Sequence, residues 1–258
     1  AIAPDAPRLC SDLPDNVAAS DIKGDAKKVK KAFAKASHVT QMNLVNNRVV
    51  GSPLEPRALV CEIEPKSGNI ILHAMHQSIS RLKNVLCEIF QLETDKLRII
   101  VRDIGGGFGT KVAIHPEDVL VVYAAKKINR TVKWTATRSE EFQASVHGRD
   151  QIYFGELAFD SEGKILALKL DILANTGAYL NNPALLIPLG IMPKVITSVY
   201  HIPALYYETR CVLTNTAPIG AYRGAGRPEG IYQIERLMDQ AAREMGISPV
   251  TLREINFI

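Results

Sequence analysis

Cysteine, aromatic side chains and charge are what this sequence has little of. Cys10, Cys61, Cys87 and Cys211 are widely scattered with no CxxC pair. That spacing excludes a zinc ribbon or a cysteine-held iron–sulfur cluster. The four read as buried, reduced thiols of a cytoplasmic protein. Phe, Trp and Tyr make up 6% of the 258 residues and the net charge is +4, so nothing marks a dedicated nucleic-acid surface and no nucleic-acid partner is expected. No apolar run approaches the roughly 18 residues that a membrane-spanning helix needs, so no membrane insertion is expected. Ala1-Ile2-Ala3-Pro4-Asp5-Ala6-Pro7 has no charged stretch followed by an apolar one and is no secretory signal. Position 1 is not methionine, which reads as a processed or excised segment. Internal repeats and low-complexity tracts are missing too.

What remains is ordinary globular material, 47% hydrophobic and 22% charged. The length allows one large domain or two small ones. Residues 1–22, rich in Pro, Asp and Ser, read as an extended arm. Asp25 caps a predicted surface helix on which Val29 and Phe33 share a face and lysines ring the other. Alternation predicts a strand over 39–45, and a strand pair over 57–63 and 70–73 turned by Pro65-Lys66-Ser67-Gly68. Ile79, Leu82, Val85, Leu86 and Ile89 repeat at helical spacing, with Ser78 placed as cap. The β-branched run 97–101 reads as a buried strand, 117–128 as a mostly apolar, buried helix, and 131–134 as a short strand. A hairpin over 152–159 and 165–173 follows, then a strand near 206–213. A long helix opens at Pro228 and closes at Gly246. Interleaved strands and helices with hairpins make the class α+β, a two-layer sandwich of mixed sheets and helices.

Two stretches stand apart. Asp103-Ile104-Gly105-Gly106-Gly107-Phe108-Gly109-Thr110-Lys111 lies between a strand and a helix, where glycine amides free of side-chain cover can hold an anionic group. It is neither a Walker loop, since Thr110 separates Gly109 from Lys111, nor a dinucleotide fingerprint, since Thr110 stands where the third glycine belongs. Residues 180–203 hold four prolines among aliphatic side chains, which reads as packing against something outside the chain or as a substrate-pocket wall. A second glycine loop, Gly220 to Glu229, precedes the long helix.

Together these motifs resemble the xanthine dehydrogenase and aldehyde oxidase family, in particular the first molybdenum-cofactor-binding domain of carbon monoxide dehydrogenase-type large subunits. The resemblance runs nearly end to end. It covers Pro53-Leu54-Glu55-Pro56-Arg57-Ala58, His76-Gln77 before a helix, Gly105–Lys111 and Pro116-Glu117. It continues through Val132-Lys133-Trp134, His147-Gly148-Arg149-Asp150 and Asn175-Thr176-Gly177-Ala178-Tyr179. Thr214-Asn215-Thr216, Ala221–Glu229 and Arg253-Glu254-Ile255-Asn256-Phe257 complete it. Beyond the arm over 1–22 that composition suggests, the resemblance implies a cofactor-binding domain over 23–258. It assigns Gly106, Gly107, Phe108 and Gly109 to the pterin and its molybdenum. Gln77 matches a glutamine that hydrogen-bonds an oxygen ligand of the molybdenum. Ala221, Tyr222, Arg223 and Gly224 match the loop over the metal, where Arg223 supplies charge or holds the loop and Tyr222 walls the substrate site. His147, Arg149 and Asp150 read as a structural polar cluster. No residue here is expected to ligate the metal directly.

Departures from the family pattern narrow the expectation. Gly224 stands where the copper-bearing enzymes carry cysteine, so a copper–sulfur–molybdenum site is not expected. The Arg-Gly-Ala-Gly-Arg version matches the form II type. Val112 replaces a purine-binding glutamate, and Leu189, Gly190 and Ile191 occupy the region of a second purine-binding arginine. A less polar aldehyde or heteroaromatic is the expected substrate. The family's second cofactor domain carries a general-base glutamate in a Gly-Val-Gly-Glu-like motif, which these residues do not contain. The resemblance therefore implies part of a molybdenum hydroxylase, inactive by itself. Its cofactor would be molybdenum–molybdopterin, as the cytosine dinucleotide. Its partners would be a second molybdopterin-binding segment, an FAD subunit and a subunit with 2Fe-2S clusters. The alternatives are a carbon monoxide dehydrogenase large-chain homologue or a truncated, non-catalytic paralogue. A plain nucleotide-binding module is disfavoured by the failed motif matches.

Overall fold

The computed structural model describes residues 1–13, 15–181 and 183–258. It divides into two compact units, one made of residues 1–49, 148–219 and 224–258, the other of 50–147 and 220–223. Elements are numbered along the chain. Two of the passages between units fall inside the two-residue strands β3 (Val49–Val50) and β8 (His147–Gly148).

The first unit is built on a five-stranded sheet of order β1-β11-β10-β9-β2: Val17–Gly24, Leu205–Leu213, Ile165–Gly177, Gln151–Phe159 and His38–Asn46. Alternation sends Tyr153, Leu157, Leu168, Leu170 and Ile172 to one face, where they pack with Ile234, Leu237 and Met238 of α5 (Arg227–Met245). Leu252 of α6 (Pro249–Asn256) joins the same core. Ala158 and Ala167 alternate to the opposite face and pack with Val29 of α1 (Ala26–Phe33). Asp25 caps α1 as expected, accepting the Lys28 N–H at 2.9 Å.

The expected arm stops short of residue 22, because Val17–Gly24 is strand β1, antiparallel to β11 at the sheet edge. Its polar composition gives no alternating apolar signal, as suits an edge strand held by backbone pairing. The segment 180–203 also differs from expectation. β10 and β11 are parallel neighbours, and parallel strands need a long crossover. This segment is that crossover. Its short helical turns over Ile187–Val195 bring Met192, Ile196 and Tyr200 into the unit's own core, while Leu180, Leu186 and Val199 stay exposed.

The second unit is a four-stranded sheet of order β6-β5-β4-β7: Leu97–Ile100, Ile70–Ala74, Ala58–Ile63 and Val132–Thr135. α2 (Ile79–Phe90) links the parallel pair β5 and β6. Leu82 and Leu86 of α2, and Val121, Val122 and Ala125 of α3 (Pro116–Ile128), close over the sheet. β6 is an edge strand with only Leu97 buried, not the buried strand expected. α3 is likewise buried on one face only; Leu120, Tyr123 and Ile128 are exposed, because a helix on a sheet covers one stripe of itself. A short helix, α4 (Arg138–Ala144), starts at a Thr137–Glu140 capping box. Among the described residues no helix is long and apolar enough to cross a membrane.

Candidate functional site

The glycine loop leaves β6 and ends in a helical turn at Thr110–Val112, all within the second unit. Its backbone turns sharply three times. Gly106 and Gly109 have φ of +95° and +96°, and Phe108, with φ of +50°, adopts a conformation that side chains with a Cβ avoid. A bulky residue so placed is held by its surroundings. Thr110 supplies part of that hold: its N–H and its hydroxyl both donate to the Gly107 carbonyl at 2.9 Å.

Glu55 anchors the loop's entry. Its carboxylate accepts the Gly105 N–H at 2.6 Å and its own N–H donates to the Gly105 carbonyl at 3.2 Å. Beneath lies Lys111, fully buried, whose Nζ donates to the Glu55 carbonyl at 2.8 Å and lies 3.7 Å from its carboxylate. Burial pulls the Lys111 amine below its usual range, and the Glu55 and Glu141 charges oppose that shift.

Gln77 reaches the loop from the corner between β5 and α2. Its Oε1 accepts the Gly109 N–H at 3.0 Å, and its own N–H donates to the Lys111 carbonyl at 2.9 Å. Since an N–H can only donate, the carboxamide must turn its oxygen to Gly109 and its NH2 away. Residues 220–223 belong to the same unit. Gly220 donates to the His147 carbonyl at 2.7 Å, and Arg223 donates its N–H to the Phe108 carbonyl at 2.8 Å. A Cβ on Gly109 would lie 2.9 Å from the Ala221 carbonyl oxygen, so the two loops touch backbone to backbone. Gly106, Gly107, Phe108, Gly109, Gln77, Ala221, Tyr222 and Arg223 are thus gathered in one unit. Gly224 falls in the other, at φ +97° in the turn before α5.

The cluster expected at 147–150 is divided. Arg149 pairs with Glu229 at 3.4 Å, while Asp150 accepts from Arg48 and Asn175, both at 2.8 Å. His147 belongs to the second unit and donates to the Phe142 carbonyl at 3.0 Å.

The N–H groups of Gly107 and Phe108 meet no acceptor among the described residues. Gln77, Phe108 and Arg223 are exposed, so beside the Glu55 carboxylate at its entry the loop presents N–H donors and a positive charge. It suits a group rich in acceptors and negative charge. Among the described residues no three His, Cys, Asp or Glu side chains lie together to hold a metal ion.

A family model for the molybdopterin cofactor-binding domain matches residues 10–257. The chain belongs to that family.

Relatives agree. The gamma subunit of the 6-hydroxypseudooxynicotine dehydrogenase complex of Paenarthrobacter nicotinovorans is 34% identical over 89% of this chain and 29% of its own length. The carbon monoxide dehydrogenase large chain of Afipia carboxidovorans is 32% identical over all of this chain and 34% of its own. The crystal structure of quinoline 2-oxidoreductase from Pseudomonas putida 86 superposes with a TM-score of 0.89 at 33% identity, over 95% of this chain and 31% of that one. The chain spans about a third of the length of these relatives. In this molybdopterin-binding domain, the residues that sequence reasoning left without a role are Glu55, His76 and Lys111. Glu55 and His76 each stand inside a family-like motif, and Lys111 ends the glycine loop. Their polar contacts exist only in the folded chain.

Proposed function

We propose that this domain forms one wall of the cofactor site in a molybdenum hydroxylase that oxidises an aldehyde, a heteroaromatic or a similar small substrate with oxygen drawn from water. The observation that carries the reading is the set of donors at the loop: the acceptor-free amides of the buried Gly107 and the exposed Phe108, beside a glutamine whose NH2 is turned away from Gly109. Gly106, Gly107, Phe108 and Gly109 would hold the pterin side of the group, and Gln77 would donate to an oxygen on the metal. Ala221, Tyr222, Arg223 and Gly224 would close over it, with Tyr222 facing the substrate. When bound, the cofactor supplies the two-electron redox chemistry at molybdenum. The chain's own residues bind and orient it. The molybdenum would be held through the pterin, with the loop contributing N–H donors to the group as a whole.

Residues 23–258, with the β1 residues 17–22 that complete their sheet, correspond in this reading to the first of two cofactor domains, and the rest of the expected 1–22 arm leads into it. A second molybdopterin-binding segment supplies the general-base glutamate. Partner subunits would hold the 2Fe-2S clusters and FAD that take up electrons, in a cytoplasmic enzyme. The cofactor is the cytosine dinucleotide form. The names of the relatives that act on nicotine derivatives and quinoline favour a heteroaromatic. So does Val112, where purine-oxidising members carry a glutamate. Copper is disfavoured by geometry: a Cβ at Gly224 would lie 2.7 Å from the Pro228 ring at a φ of +97°, so a cysteine there is blocked twice. Co-expression with the neighbouring reading frames tests the reading. The assembled complex should contain stoichiometric molybdenum, no copper, and a pterin releasing CMP on acid hydrolysis. An assembled complex without molybdenum and pterin would refute it.

A further inference from the structure

The orientation of Gln77 depends on where its backbone stands, and a neighbouring imidazole governs that. His76 is buried, at 4% exposure. Its Nδ1 accepts the Ser78 N–H at 2.9 Å and its Nε2 lies 3.2 Å from the Ala113 carbonyl. A backbone N–H can only donate and a carbonyl can only accept, so the ring is the neutral tautomer with its proton on Nε2. Burial supports this by holding the imidazole below its ordinary range. Ser78, the N-cap of α2, has no side-chain cap bond; its own backbone N–H is satisfied by His76.

Three hydrogen bonds thereby stitch residues 76–78 to residues 109–113: His76 to Ala113, Gln77 N–H to Lys111, and Gly109 N–H to Gln77 Oε1. Ser78, which follows Gln77, and Ala113, which follows the glycine loop, are tied to the two edges of one ring. An ordinary hydrophobic residue at 76 would leave the buried Ala113 carbonyl and the part-buried Ser78 N–H without these partners. We propose that His76 is a positioning residue for Gln77, holding the strand-to-helix corner where Gly109 turns the Gln77 NH2 outward. The use of that NH2 toward a cofactor rests on the function proposed above; the positioning itself does not.

Amide hydrogen exchange on the full 258-residue chain, read by NMR, tests the positioning without cofactor. Gln77→Ala should speed exchange at Gly109, showing that the Gln77 acceptor protects it. His76→Ala should speed Gly109 exchange about tenfold or more, while Gly105, held by Glu55, is unchanged. His76→Asn keeps an acceptor for the Ser78 N–H but cannot span to Ala113, and should fall between. His76→Asn also serves if the alanine variant fails to fold, with Trp134 emission and the Gly105 amide reporting the folded unit. Unchanged Gly109 exchange in both folded His76 variants, or in Gln77→Ala, would overturn the inference. Wild-type enzyme assembled without molybdenum would remove the cofactor reading and leave the exchange result standing.

Discussion

Gly107 and Gly109 stand two residues apart for different reasons. At Gly109 both backbone and space demand glycine: φ is +96°, and a Cβ would press on the Ala221 carbonyl at 2.9 Å. Gly109→Ala should lower stability by about 1–3 kcal/mol, measured as the urea midpoint at unchanged slope. Gly107 is not in the left-handed region, but a Cβ there would meet Gln77 Cδ and Oε1 at 2.5 Å. The far end of a side chain can yield. Gly107→Ala should therefore cost little stability, under about 1 kcal/mol, yet displace Gln77. In the enzyme proposed above kcat should fall while the urea midpoint of this chain barely moves; a large midpoint shift would show that the alanine disrupts more than Gln77.

At the scale of elements, the second unit is braced by a buried ion cluster joining β4, α3 and α4. Arg57 meets Glu141 at 3.3 Å and Glu117 at 3.1 Å, and its guanidinium lies 5.5 Å over the Trp134 ring. Arg57 Nη2 and Glu141 Oε1 have no hydrogen-bond partner among the described residues. Glu141→Ala would remove the fully buried partner of the guanidinium and the acceptor of the Arg57 N–H, leaving Glu117 as the remaining carboxylate, and should cost about 3 kcal/mol, whereas replacing both Arg57 and Glu141 by apolar residues should cost far less. Trp134, the single tryptophan, reports this unit's unfolding. Equal losses in the single and double variants would contradict the account.

The N-terminus of α3 carries two titrations of opposite sign. Burial holds His115 down to about 4 and pushes Asp118 up to about 6. His115 contributes stability present above pH 6.5 and lost as pH falls through about 4. Asp118 contributes stability present below its unfolded value near 3.8 and lost as pH rises through about 6. Each is worth on the order of 3 kcal/mol, and between pH 4 and 6 they oppose. The native protein should show little net pH dependence from this pair. His115→Gln should lose stability relative to wild type as pH rises from 4 to 6. Parallel profiles in urea titrations across that range would count against the pairing.

For the whole molecule, elements with a local signal were legible in the sequence. Asp25, the 3.6-residue repeat of α2, the Asp160–Gly163 hairpin and the Pro228–Gly246 helix depend on nearby residues and are found as expected. Elements that depend on distant partners were not. β1 exists because β11 offers an edge, and the proline-rich 180–203 segment is a crossover because β10 and β11 are parallel.

The same division runs through the site. By itself the sequence determined the glycine loops, the family and the α+β class, because these follow from residue type and order. Only tertiary structure decided that Gln77 turns its NH2 outward, that Glu55 and Lys111 brace the loop, and that Gly220–Arg223 joins the loop's unit. The physical reason is that hydrogen bonds across 32 to 56 positions of chain leave no mark on local composition. They form only once the backbone has brought their partners together.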